Sequence, residues 1–498
     1  MLMDNLGTWI VWPILLPLIA IIPIFLRKRS GAANVSLVTA AAIVLVVAGL
    51  ARQVLTAGEQ SHAIGGWDAP LGIMLHADGL SVFMLMMTAI VGAVTSIYAA
   101  GYRFQGGGDP GISSGYFFWP LGMFLWAALN VIFLAADIFN LYIGLELLSM
   151  AAVALVTLEQ KRDATVAGMR YLLASFLGSL AYLLGVALLY TAFGTLDLEL
   201  LGARIQPDLP TAVAIILITL GTALKTALFP LHFWLPPAHG SAPTPVSALL
   251  SALVVKASFY LLLRLWFEVF PAALTPTIAQ LLGLLGAIGI LWGSFLALRQ
   301  HKLKALVAFS TVAQVGYLFL LFPLASTSAG WGVDAWSGGV YHAFAHACAK
   351  AAMFMAAGTL AYAIGSDQLE SLAGTFQHYP FSVTALTLAG VSLMGLPPSG
   401  GFIGKWLLLN SALASGQWWF ALVILTGSLL ATGYVTMVLG HILLRPPDAT
   451  TSIDPRNTNV SFTLEFAALL LALIAIGLGL AATPMLALLR IGMPFTGY

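Results

Sequence analysis

Charge and cysteine are what this chain lacks. Only 8% of its 498 residues are Asp, Glu, Lys or Arg, where a soluble globular domain carries roughly 25%. With 60% hydrophobic residues, the composition excludes a soluble fold. Twenty Lys plus Arg against nineteen Asp plus Glu leave a formal net charge of +1, so there is neither a basic surface for nucleic acid nor an acidic tail. The single cysteine, Cys348, excludes an intrachain disulfide, a cysteine-based zinc site and an iron–sulfur cluster, each of which needs several thiolates. No cofactor is expected. What remains is an integral membrane protein whose few charges either mark loops or carry function.

A transmembrane helix takes about 20 mostly apolar residues. An all-α fold with about fourteen spans is predicted, at residues 8–27, 33–51, 78–101, 116–136, 138–158, 166–193, 211–235, 243–267, 277–298, 303–324, 337–364, 380–413, 417–443 and 462–484. The linkers are short and carry turn residues, as in Gly106-Gly107-Gly108-Asp109-Pro110 and Arg445-Pro446-Pro447-Asp448, which leaves no room for a soluble domain. The chain reads as one membrane domain, 1–498, made of spans 1–3 (1–110), a first repeat (111–270), a second repeat (271–445) and a last span (446–498). The first apolar run is led by Asp4 and followed by Arg27-Lys28-Arg29, so it is expected to be a span and not a cleaved signal.

Placing that basic cluster inside also puts Arg103, Lys161, Arg162, Arg299, Lys302, Lys304, Arg445 and Arg456 inside, eleven in all, against Arg52, Arg204 and Arg490 outside. This positive-inside bias predicts both termini outside a bacterial inner membrane. Six basic residues remain within spans. Arg170 and Arg264 are near span ends, where a long side chain is expected to snorkel to the interface. Lys225, Lys256, Lys350 and Lys405 stay deep. Among the acids, Glu146 alone is placed mid-span.

Proline and glycine interrupt two spans. The seventh carries Pro230, Pro236 and Pro237 after Lys225, and the twelfth carries Pro397 and Pro398 before Lys405. Broken helices at membrane depth are tolerated where protein or water satisfies the freed backbone, and in matching positions of two halves they point to a transport site. The two lysines are five spans apart. Five is odd, so spans 4–8 and 9–13 form two units of opposite topology, an inverted repeat.

A lysine at the bilayer centre costs about 2.5–3.5 kcal/mol on insertion scales, so four of them need partners or water. Lys225 is expected to pair with Glu146 as a proton-binding element, the alternative being an inert pair that fixes helix packing. In the eleventh span His342, His346 and Lys350 follow at i, i+4 and i+8, one stripe of a helix. Histidine receives a proton on one ring nitrogen and releases it from the other, so the stripe reads as a relay. His342 is expected closer to the span end and is better suited to packing. Zinc is the alternative for His-x-x-x-His, but no third ligand is adjacent, and no metal is expected. His232 is seven residues after Lys225, on nearly the same face if the helix continues, and His239 lies past Pro236-Pro237. Lys256 follows in the eighth span. Ser310, Thr311 and Gln314 in the tenth are expected to hold waters or to act as packing contacts.

The block from Lys225 to Leu249, Lys-Thr-Ala-Leu-Phe-Pro-Leu-His-Phe-Trp-Leu-Pro-Pro-Ala-His-Gly-Ser-Ala-Pro-Thr-Pro-Val-Ser-Ala-Leu, resembles the antiporter-like proton-translocating membrane subunits. These are shared by respiratory complex I, membrane-bound hydrogenases and multisubunit Mrp cation/proton antiporters. Glu146, His346-x-x-x-Lys350 and Pro397-Pro398 to Lys405 also fall where that family carries its key residues. The resemblance spans nearly the whole chain. It implies the fourteen-span inverted-repeat fold, Glu146 and Lys225 as a coupled pair, Lys256 as connector and Lys405 as the terminal proton-binding lysine. Gly65 to Ile73 and a lysine at 405 resemble the D-type member of the Mrp assemblies. With the fourteenth span as its last, the chain is expected to lack the long lateral helix of the largest complex I relative and the extra spans of the A-type Mrp member. Ser241-Ala242 replaces the usual acid before Pro-Thr-Pro-Val-Ser, and Ser251 stands where complex I relatives usually carry histidine.

The resemblance thus implies a transporter component and not an enzyme, moving H⁺ and Na⁺ with other membrane subunits as partners. The alternatives are a proton-pumping subunit of a redox complex and an energising or scaffold subunit for uptake of inorganic carbon or another solute.

Overall fold

The computed structural model describes residues 9–27, 29–104, 114–326, 330–445 and 460–495. Asp4, Lys28, Arg456, the turn at 106–110 and residues 446–448 lie outside the described residues. Within them, twelve helices are long and apolar enough to cross a membrane, and two shorter apolar helices, Trp12–Phe25 and Pro380–Met394, bring the spans to fourteen. Span 1 is Trp12–Phe25, and spans 2 to 6 are Arg29–Ala57, Gly79–Gly101, Ser114–Leu134, Ile138–Val156 and Arg162–Phe193. Span 7 begins as Leu209–Thr226, and spans 8 to 11 are Thr244–Val269, Pro276–Leu298, Leu303–Leu324 and Gly330–Ile364. Span 12 begins as Pro380–Met394, and spans 13 and 14 are Trp418–Leu443 and Phe462–Leu480.

Hydrocarbon offers no hydrogen bonds, so the backbone pairs with itself in helices while the outer faces stay apolar. On span 6, Leu173, Phe176, Leu177, Leu180 and Leu184 are exposed. The apolar windows of spans 8, 10 and 11 are instead 100%, 89% and 83% buried. Polar residues on these three spans therefore face protein.

The loop between spans 2 and 3 adds a feature beyond the helical prediction. Strand β1 (Gln60–Ile64) pairs antiparallel with β2 (Ile73–Ala77). This hairpin marks one face of the molecule.

The two repeats share a joint. In the first, Ile138 N donates to Leu196 O and Leu198 N to Ala136 O; in the second, Leu303 N donates to Asp367 O and Leu369 N to His301 O. Each joint ties the start of the repeat's second span to the loop between its third and fourth. Span 6 ends on left-handed Gly194 and span 11 on left-handed Gly365. Just beyond each glycine, a hydroxyl accepts from the same relative backbone N–H, Thr195 from Asp197 and Ser366 from Gln368, both at 3.3 Å. Five spans separate the joints, so they sit on opposite faces, as an inverted repeat demands.

Both breaks are present, and one differs from its expectation. Span 7 is helical to Thr226, turns through residues 227–234, and resumes as Leu235–Ser241. Pro236 and Pro237 occupy the first turn of that second helix, where a missing N–H costs nothing. They start a helix instead of breaking one; Pro230 lies in the break itself. Span 12 is broken between Met394 and Gly400, across Pro397 and Pro398. Span 8 contains two π-helical stretches, Leu250–Val254 and Leu265–Val269.

Candidate functional site

Lys225 is next to last in its helix, which ends because Ala227 turns left-handed at φ 60°. Close approach of spans 6 and 7 places the side chain. A Cβ on Gly221 would come within 2.3 Å of Gly178 O, and one on Gly178 within 2.9 Å of Gly221 O, so only glycine permits this contact. One turn later Lys225 Nζ donates to Ser149 Oγ and Ser175 Oγ at 2.8 Å each and reaches Glu146 Oε1 at 3.4 Å. Ser175 donates to Ser149 at 2.7 Å, and Ser179 donates to the Glu146 carboxylate. Charge-assisted N–H···O bonds run about 2.7–2.9 Å. The lysine is therefore held closely by hydroxyls and more loosely by its counter-ion. The expected Glu146–Lys225 pair is present, and the three serines are additional. Their spacing was the available signal, since Ser175 and Ser179 are one turn apart and Ser149 is one turn from Glu146.

Lys256 and Lys350 are both fully buried. Lys256 Nζ donates to Ser251 O within the first π-helical stretch, and Ser251 Oγ meets Thr311 Oγ1 at 2.9 Å. Lys350 Nζ donates to Val307 O at 2.7 Å and to Ser310 Oγ. Ser310 and its neighbour Thr311 thus bring the surroundings of the two lysines together on one turn of span 10.

His342 and His346 stack face to face, 5.9 Å between centroids and 4° between planes. His342 is twelve residues into span 11 and 1% exposed, so its expected position near the span end is corrected: the helix begins earlier than 337. His239 is buried against Phe354, with ring centroids 5.0 Å apart. None of the ring nitrogens of these three histidines makes a hydrogen bond of normal geometry to a protein atom. His232 does not share a helical face with Lys225, because it lies in the break; it is partly exposed and stacks on Phe229 at 5.7 Å.

Lys405 follows the second break and donates to Leu393 O at 2.7 Å and to Ser428 Oγ at 3.3 Å. Its ammonium is 4.2 Å from the centroid of the Tyr317 ring, a cation–π contact. Leu393 O is free to accept because the residue four positions on, Pro397, has no N–H. Gln314 Nε2 approaches the same carbonyl at 3.3 Å, which ties the span 10 polar residues to Lys405.

Two cavities lie on opposite faces of the molecule. One of about 710 Å³ is on the hairpin face. The other, of about 960 Å³, lies on the opposite face and is lined by Lys161, Arg170 and Lys304 among others. Lys304, counted from sequence as a loop marker, donates to Ala242 O at 3.1 Å. Arg264 does not snorkel. Its side chain is 5% exposed and forms ion pairs with Asp78 and Glu268.

Fourteen spans, two broken helices on inverted joints and four buried lysines held by hydroxyls and carbonyls define an antiporter-like membrane subunit. The chain belongs to the NADH:quinone oxidoreductase/Mrp antiporter transmembrane family, whose model matches residues 135–431. It is 34% identical to NADH-quinone oxidoreductase subunit N of Desulforudis audaxviator over 86% of both chains. It is 30% identical to the D subunit of the Na(+)/H(+) antiporter of Bacillus subtilis over 88% of this chain and 87% of that one. In fold it is similar to a chain of the Mrp complex from Dietzia sp. DQ12-45-1b, with TM-score 0.85, 22% identity and coverage of 96% and 95%.

Proposed function

We propose that this chain translocates protons as one membrane subunit of a multisubunit Na⁺/H⁺ antiporter. The observation that carries the reading is the row of buried bases. Lys225 touches Glu146, Lys256 and Lys350 converge on the turn that holds Thr311 and Ser310, and Lys405 shares Leu393 O with Gln314. Buried polar groups are hydrogen-bonded to protein or to ordered water. The histidine nitrogens that no protein atom satisfies therefore call for water between these stations, and water with histidine and lysine is a proton-conducting medium. His239, His342 and His346 act as relays, Lys225 and Lys405 as the loading sites of the two repeats, and Lys256 and Lys350 as the connection. His232 has no role in the row.

The antiporter assignment draws on the likeness to the Bacillus subtilis antiporter protein and on the hairpin-loop sequence Gly65 to Ile73. A second reading, membership of a redox-driven proton pump, is favoured by the likeness to the Desulforudis oxidoreductase protein, and the two share the same proton row. The test is expression of the full operon in an antiporter-deficient cell, with Na⁺-induced pH change followed in everted vesicles. Normal activity in an assembled Glu146→Ala or Lys405→Ala variant overturns the roles. Co-purification of quinone- or iron–sulfur-binding subunits replaces the first reading by the second.

A further inference from the structure

Span 8 carries a polar stripe of which the row above uses only Lys256. Lys256, Tyr260, Arg264 and Glu268 follow at intervals of four, a progression of about 40° per step that keeps them on one side of the helix. The stripe runs from the buried lysine to the hairpin-face cavity, whose lining includes Tyr260, Arg264, Glu268, Asp78 and His76. Arg264 grips Asp78 with both ends of its guanidinium, at 2.6 Å each, and donates to Ser81 Oγ at 2.7 Å and Tyr260 OH at 2.9 Å. It also donates to Glu268. Tyr260 OH in turn donates to Phe133 O at 2.9 Å. A guanidinium, always charged, thus sits where the stripe meets the cavity, between Tyr260 and Glu268.

Its two carboxylate partners differ. The Asp78 side chain is 1% exposed, while that of Glu268 is 30% exposed. Asp78 caps the first turn of span 3 through Ser81 N at 2.8 Å. Burial alone would raise its carboxyl, but the Arg264 charge and hydrogen bonds outweigh that and hold it below the usual carboxylate range. Glu268 lies in the π-helical stretch Leu265–Val269, and such stretches frequently occur at functional sites. One partner is an anchor, the other faces water. Beyond them His76 contacts Ser61 Oγ at 3.0 Å and Glu59 at 3.5 Å, and Asp197 and Glu199 also line the cavity.

We propose that the Arg264 cluster is the proton gate between the buried lysine row and the hairpin-face cavity, with Asp78 fixing Arg264 in place and Glu268 carrying the proton past it. The proposal rests on the proton-translocation reading. In the outward step a proton leaves the Lys256 ammonium, which becomes neutral, and travels by water along the stripe to the Glu268 carboxylate. Glu268 becomes a neutral acid and releases Arg264, which Asp78 keeps in place. Glu268 then gives the proton to cavity water and pairs with Arg264 again. The guanidinium does not give up its own proton, so the transfer goes through the carboxylate.

The test uses the assembled complex in vesicles, with coupled proton flux and passive proton leak measured separately. Glu268→Gln is expected to lower coupled flux at least about a hundredfold, the low side of what a proton-transferring group contributes, and Glu268→Asp to restore part of it. The double variant Asp78→Asn with Arg264→Gln removes both members of the buried pair, so no lone charge is left inside; it is expected to raise passive leak several-fold. Wild-type flux in Glu268→Gln, or unchanged leak in the double variant, while Lys225→Ala is inactive, overturns the gate and leaves the broader reading standing. Full activity in Lys225→Ala instead removes that reading and the gate with it. If Glu268→Gln does not assemble, a carbodiimide is applied to the wild-type complex; flux that persists with Glu268 modified, as read by mass spectrometry, overturns the gate equally.

Discussion

In the first repeat the buried lysine comes from the helix that enters the break, and in the second it comes from the helix that leaves it. Superposing the shared joints makes the contrast specific. The bridges at Ile138 and Leu303 bring Glu146 onto Thr311 and Ser149 onto Gln314. The glycines at 194 and 365 bring Ser175 onto His346 and Ser179 onto Lys350. The left-handed residues Ala227 and Gly395 bring Lys225 onto Leu393, whose carbonyl accepts from Lys405. A lysine nitrogen therefore reaches each break, from opposite sides. The first repeat surrounds it with serines and a carboxylate; the second offers a carbonyl, a hydroxyl and an aromatic face, and fills the serine positions of its third span with titratable groups. The two halves share their backbone joints while their charges differ, so one half holds its lysine by hydroxyls with a counter-charge beside them and the other by dipoles and an aromatic face.

That contrast can be broken in several places. The largest effect is expected from Lys225→Ala, which removes the paired base of the first repeat and should lower coupled flux by about two orders of magnitude or more with assembly intact on native gels. Next is an exchange of character between halves: Glu146→Gln should cost about tenfold in flux, the loss of roughly one hydrogen bond to a charged group, and adding Thr311→Glu, which puts an acid at the matching place, should give no rescue. Rescue would show that the halves are interchangeable. Ser149→Ala with Ser175→Ala should weaken the site by about 1.5–3 kcal/mol, the range for hydrogen bonds to a charged group, read as a change in the pH profile of transport. Gly221→Ala, which forces spans 6 and 7 apart, should destabilise the detergent-solubilised complex by about 1–3 kcal/mol, read as a lower melting temperature. The smallest change is expected at the joint itself. Asp197 caps Leu200 N at 2.9 Å, and Asp197→Ala should cost about 1 kcal/mol in the same assay.

Much of this was legible in the chain because hydrocarbon punishes charge. Glu146, Lys225, Lys256, Lys350 and Lys405 stood out as unexplained charges in apolar runs, and each proves to be buried or half-buried with named partners. Signals that depend on distant partners were not legible. Arg264 near a span end looks like an interfacial anchor until Asp78, 186 residues away, is brought beside it by span 3. Serines 149, 175 and 179 are too common at helix contacts to announce a cage. His232 was misplaced because helical periodicity was extended through a stretch where the helix had stopped. The hairpin Gln60–Ile64 with Ile73–Ala77 and the two π-helical stretches of span 8 have no compositional mark against a background this apolar.

The two cavities have one further consequence. Six carboxylates and one guanidinium line the hairpin-face cavity, while five cations and three carboxylates line the one opposite. Standing on either side of a low-dielectric slab, they act as the plates of a small charged capacitor, and charge in a low-dielectric cleft focuses the field within it. A positive charge among the buried lysines rests in that standing field before any membrane voltage is added. That field sets where along the slab a positive charge rests most easily, while the net direction of flow stays with the two bulk phases.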